Sequence, residues 1–126
     1  MTRSLQIALY FIATYLALFG IVFLIAPRLA EQITQTTHDP TLSVLYGQYT
    51  LTFSFVAFMA ARAKEARSKL SLAILVLTAG HVVVFGYLLS SGTQSFSQAG
   101  PPLSVNFVLT VLLLLLRKRS ESEGGA

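Results

Sequence analysis

Few residues in this chain can do chemistry, and those that can lie inside apolar stretches. His81 sits in a run rich in Leu and Val, with Thr78 one helical turn before it. Tyr49 and Thr52 interrupt a second such stretch, and Asn106 a third. An imidazole, an amide, a phenol and two hydroxyls offer hydrogen-bond donors and acceptors and, at the imidazole, a proton site. Brought to one depth, Tyr49, Thr52, Thr78, His81 and Asn106 would form a small polar pocket. The plainer account is that they tie helices together, each bond contributing about 0.6 to 2 kcal/mol in a membrane. An ionisable residue in a membrane span is still a functional candidate by default.

What is missing narrows the chemistry. There are no cysteines, so a disulfide, a thiolate metal site and thiol redox chemistry are excluded. The apolar stretches contain no Asp or Glu. Small four-helix proton-coupled exporters depend on a carboxylate in their first helix, where this chain has only Thr14 and Tyr15. Bis-histidine haem needs two ligands at matching depth, but His38 falls in a polar connector, well away from His81. One buried histidine cannot supply the three or four ligands of a zinc site. No Gly-x-Ser-x-Gly elbow is present. Arg28, Glu31, His38 and Asp39 read as a solvated loop. The expectation is no enzyme, no catalytic residue, no metal and no cofactor.

The elements that must hold these residues follow from composition. Of 126 residues, 54% are hydrophobic and 11% charged, with a mean hydropathy of +0.68. Soluble domains carry roughly 25% charged residues, so the deficit indicates a membrane class. Apolar runs over 5–26, 42–61, 70–89 and 102–116 predict four transmembrane helices. The fold class expected is all-α, an integral membrane up-down bundle. One domain would cover 1–119, with a disordered polar tail over 120–126. The first run is about 22 residues, longer than the roughly 7–15 of a signal-peptide core, which favours a retained helix. Pro27 should end it. Residues 28–39 read as a polar connector, either irregular or a short surface helix with Leu29, Ala30 and Ile33 on its apolar edge. Asp39-Pro40 supplies an N-cap and first-turn proline for the second span, and a tight reversal is expected near Ser68. Residues 90–100, rich in Ser, Gly and Gln, read as a loop, with Gly100-Pro101-Pro102 opening the fourth span. That span is about 14 residues, nominally about 21 Å, and so is short for a core of about 30 Å.

The second span carries a face of small residues. Ser43, Gly47, Thr50, Ser54, Ala57 and Ala61 recur at alternating intervals of four and three, which is one side of a helix. Small faces let helix backbones approach closely, and close packing is what holds helices together in lipid. Ala13, Ala17 and Gly20 repeat the spacing in the first span, making that helix the expected neighbour.

The net charge of +4 is concentrated at span ends. Arg62, Lys64, Arg67 and Lys69 face a single Glu65 between spans two and three, Arg117 to Arg119 follow span four, and Arg3 precedes span one. The first connector is near neutral and the third has no charge. Four spans with both termini in the cytoplasm fit this alternation. The basic flanks suit the anionic headgroups of a lipid bilayer, and no basic surface is left over for nucleic acid.

Ala26-Pro27 closing the first helix, Leu45-Tyr46-Gly47 opening the second, Ala61-Arg62 with Glu65-Ala66-Arg67 at its inner end, and Gly80-His81 in the third form a layout that resembles small four-helix bacterial membrane proteins of the DoxX-like families. The resemblance implies an up-down bundle in a bacterial inner membrane and brings no catalytic residues with it. Two functional expectations follow. One is a non-enzymatic structural or accessory membrane protein, forming a homo-oligomer or bound to a partner membrane protein. The alternative is a binder or transporter of a small or lipophilic molecule, using the polar pocket in the outer half of the bundle.

Overall fold

The computed structural model describes residues 2–34 and 40–124. The described chain is all helical: α1 (Thr2–Ile25), α2 (Pro27–Thr34), α3 (Pro40–Arg62), α4 (Arg67–Ser90) and α5 (Phe96–Gly124). Four of these, all but α2, are long and apolar enough to cross a membrane. The chain is thus a multi-pass helical bundle.

Local sequence explains where each helix stops. Ala26 leaves the helical conformation because Pro27 follows it, and Pro27 becomes the first residue of α2, where its missing N–H is no loss. The short α2 is amphipathic, with Ala30 buried against α1 beside the exposed Leu29 and Ile33. It is a helix rather than an irregular connector. Pro40 opens α3, while Asp39 and His38, read as N-cap and loop titratable, lie outside the described residues. The reversal between α3 and α4 occupies Ala63 to Ala66, with Ser68 already inside α4.

The fourth crossing differs from the sequence reading. The loop shrinks to residues 91–95, and α5 starts at Phe96, a turn and a half before the proline pair. Gly92, at φ +75°, takes the left-handed turn that closes α4. Ser95 then donates its backbone N–H to Gln98 Oε1 at 2.9 Å, half of a capping box at the new helix start. Pro101 and Pro102 therefore lie inside α5, not in its first turn. The helix has 29 residues, about 43 Å at 1.5 Å per residue, so the crossing is not short. It also continues through Gly124. The tail from Ser120 to Gly124 is helical where disorder was expected.

The four long helices alternate in direction. The most extensive contacts pair α1 with α3 and α4 with α5, and lesser contacts of α3 with α4 and of α1 with α5 close the ring. One core spans all four. It takes Leu5, Leu9, Ile12 and Leu16 from α1, Ala57, Ala60 and Ala61 from α3, Ile74 and Leu77 from α4, and Leu109, Leu113 and Leu116 from α5. All of these lie in the half of the bundle that holds the basic residues. Towards the far end, α1 and α3 stay sealed, but among the described residues α4 buries none beyond Thr78. The bundle is closed at its basic end and looser at the other.

Candidate functional site

The seam between α1 and α3 sets the positions of everything else. Ser43, Gly47, Thr50, Ser54, Ala57 and Ala61 are all buried. Ser54 Oγ donates to the Ala13 carbonyl at 2.6 Å and Ser43 Oγ to the Phe23 carbonyl at 3.0 Å. Gln6 Nε2 donates to the Ala61 carbonyl at 3.0 Å. A Cβ built on Gly47 would lie 2.9 Å from the Gly20 carbonyl and 2.7 Å from Leu24 Cγ, and one on Gly20 would lie 3.0 Å from the Gly47 carbonyl. Residues 6, 13 and 20 thus meet 61, 54 and 47 in antiparallel order. Steps of seven on both helices are the repeat of a left-handed pair, which keeps one seam facing over its full length. Ala13 is buried in this seam, and Ala17 is half-buried.

The packing of α3 sets its aromatic flank against α1 at Tyr46 and against α4 at Tyr49. Phe23 and Tyr46 meet edge to face at 4.6 Å, Tyr46 and Tyr49 follow at 6.0 Å, and Tyr49 and Phe53 at 5.0 Å. Tyr49 also meets the His81 ring edge to face at 6.2 Å, and His81 lies against Phe85 at 6.1 Å. Asn106 of α5 is the polar side chain nearby that acts on the His81 imidazole; its Nδ2 donates to the Pro102 carbonyl at 2.8 Å. Tyr49, His81 and Asn106 are therefore brought together from three helices.

The other two pocket candidates direct their hydroxyls elsewhere. Thr78 is buried, but its hydroxyl returns to the Leu75 carbonyl at 3.1 Å. Thr52 is exposed and donates to the Gln48 carbonyl at 2.9 Å. It lines a different feature, an open groove of about 540 Å³ between α1 and α3, with Leu24, Val44, Gln48, Leu51 and Phe55. The reason is angular: Thr52 lies beside Gln48 and Phe55 on the outward side of α3, while Tyr49 lies on the aromatic flank.

Sequence reasoning missed the polar cluster at the basic end. Arg67 is buried, and its guanidinium turns back from α4 to donate to the Ala60 carbonyl at 3.1 Å and the Ala61 carbonyl at 2.8 Å. It thereby supplies partners to the last carbonyls of α3, which a helix end leaves open. Arg117 reaches from α5 to the Ser68 carbonyl at 2.6 Å and to Ser71 Oγ at 2.8 Å. Gln6, Arg67 and Arg117 thus join all four long helices. In the sequence they look like ordinary flanking charges and one amide, and only the three-dimensional register reveals them.

Chemically, this arrangement is largely self-satisfied. Among the described residues, the one buried side-chain polar atom without a partner is Gln94 Oε1, in the α4–α5 turn. No group of three or more His, Cys, Asp or Glu that could hold a metal ion occurs among them. No family model matches the chain, and no curated protein or solved structure matches it.

Proposed function

We propose that this chain is a non-enzymatic structural or accessory membrane protein that acts through helix packing and assembly. The observation that carries this reading is the destination of its buried polar groups. Ser43 and Ser54 bond across to α1, and Thr50, Thr78 and Asn106 bond back to their own helices. Donors spent on backbone carbonyls fix geometry and are withdrawn from a substrate. The protein would sit in a bacterial inner membrane, as the DoxX-like resemblance implies. Its basic end would face the cytoplasm, where anionic headgroups would contact Arg62, Lys64 and Lys69. Native mass spectrometry of the purified protein tests the reading. A defined oligomer without a retained small molecule is expected, and a stoichiometric ligand would overturn it.

One observation favours a second reading, a binder of a small lipophilic molecule. Tyr49, His81 and Asn106 converge in the looser half of the bundle. Gly80 and Gly86 have nothing within 4 Å of an added Cβ there. If His81→Leu lowers thermal stability but changes neither ligand retention nor cell phenotype, this second reading fails.

A further inference from the structure

We infer that the outward face of α3 is the contact between two copies of this chain. The copies would be paired in parallel about a two-fold axis along the membrane normal, so that the Gln48 amides meet. The inference rests on the assembly reading above and specifies its surface.

Three observations converge on this face. First, Gln48 is exposed on α3, roughly 12 Å along a helix that begins at Pro40. Its side-chain amide makes no hydrogen bond to any described residue; only its backbone carbonyl is used, by Thr52. The amides of Gln6 and Asn106, by contrast, both donate to backbone carbonyls. Acyl chains offer an amide nothing, and an unpaired polar group in hydrocarbon is strongly disfavoured.

Second, Gln48 stands in an apolar stripe. Val44, Gln48, Leu51, Phe55 and Phe58 recur at intervals of four and three, each one position after the buried small face and so turned about 100° from it. Leu51 and Phe58 lean on Gly20 and Tyr10 of α1, whereas Val44 is 50% exposed and Phe55 64%. A single polar residue within an otherwise apolar heptad seam is the device that fixes register between paired helices. Third, the open groove of about 540 Å³ runs beside this seam, leaving room for the side chains of a facing helix.

Symmetry selects the occupant. Copies inserted the same way up are related by an axis along the membrane normal, so residues near that axis meet their own counterparts at equal depth. An amide carries both donor and acceptor, so two identical ones satisfy each other. A different partner would have to provide a matching group at the same depth, whereas a second copy has one already.

The chain has no cysteine, which makes single-cysteine cross-linking clean. Full-length Val44→Cys and Phe55→Cys would be oxidised in phosphatidylethanolamine–phosphatidylglycerol vesicles. Val83→Cys, on the exposed side of α4, would serve as the control. Disulfide dimers are expected at 44 and 55 and not at 83. Adding Gln48→Leu should weaken dimerisation roughly 3- to 30-fold, with helicity by circular dichroism unchanged because Gln48 is outside the fold's core. Equal cross-linking at all three positions, or a dimer indifferent to Gln48→Leu, would overturn the inference. So would α3 cross-links to a different protein in native membranes when the purified chain is monomeric. A defined oligomer by native mass spectrometry without cross-links at 44 or 55 would remove this interface and leave the assembly reading standing. A monomer throughout would remove self-association altogether.

Discussion

At the scale of single residues, the molecule separates glycines that are required from one that is not. Gly47 and Gly20 lie where their helix backbones touch, and a Cβ on either would fall within 3.0 Å of the facing carbonyl. Gly47→Leu should therefore force α1 and α3 apart, as should Ala57→Leu in the fully buried core. Each is expected to cost about 1–3 kcal/mol or more in a detergent unfolding titration. His81→Leu, at a half-buried position, should cost about 1 kcal/mol or less. Equal or smaller losses at Gly47 and Ala57 would show the seam to be misassigned. Gly80 has open space around it, so Gly80→Ala should be neutral or add about 0.5–1 kcal/mol through helix propensity. Arg67 gives a contrast of charges. Removing it takes the side-chain donor from the Ala60 carbonyl and leaves the Ala61 carbonyl with Gln6 alone, and Arg67→Ala should cost about 1–3 kcal/mol. Exposed Lys69, mutated to Ala, should change stability by less than about 0.5 kcal/mol. The unfolding midpoints of the two variants, measured side by side, decide this.

At the scale of elements, the sequence spoke clearly where apolar runs were long and was misleading where local punctuation had two meanings. The first three spans are visible because each is a charge-free run of about 20 residues. The buried face of α3 was visible because small residues keep a strict helical interval. The start of α5 was not. Residues 90–100 carry loop-type residues, and Gly-Pro-Pro suggests a beginning, yet the helix starts earlier, at Phe96. The overlooked signal is Ser95-Phe96-Ser97-Gln98, the spacing of a capping box. Proline inside a helix was tolerable here because it falls only one to two turns from the start of α5, close to the exposed turn at residues 91–95. Gln98→Ala should thus shorten α5 from its N-terminal end and cost about 1 kcal/mol. Faster amide exchange confined to residues 96–100 would report the fraying, and unchanged exchange would count against the cap. Arg67 and Arg117 could not be found in advance for a different reason. A flanking arginine is an orientation signal and a carbonyl donor alike, and linear spacing does not distinguish them.

At the scale of the whole molecule, the bundle is asymmetric along its axis in both packing and charge. Every Lys and Arg except Arg28 lies at one end, and the four-way core occupies that same half. The two facts are connected. Arg67 and Arg117 donate across helix ends, so two of the basic residues at that end also help tie the four helices together there. The far end has α2 and the uncharged turn after α4, and there the α1–α3 seam is the continuous packing, with Ala99 and Gly100 of α5 also buried. Such a molecule should insert with its tied, basic end in the cytoplasm. Because the chain is free of cysteine, single substitutions can report this directly. Thr93→Cys, in the exposed turn after α4, should react with a membrane-impermeant maleimide in intact spheroplasts. Ser120→Cys, beyond the basic cluster on α5, should react only once the membrane is permeabilised. The reverse pattern would invert the orientation while leaving the fold untouched. Labelling of both positions in intact cells would mean that α5 does not cross, even though its 25-residue candidate span is long and apolar enough to do so.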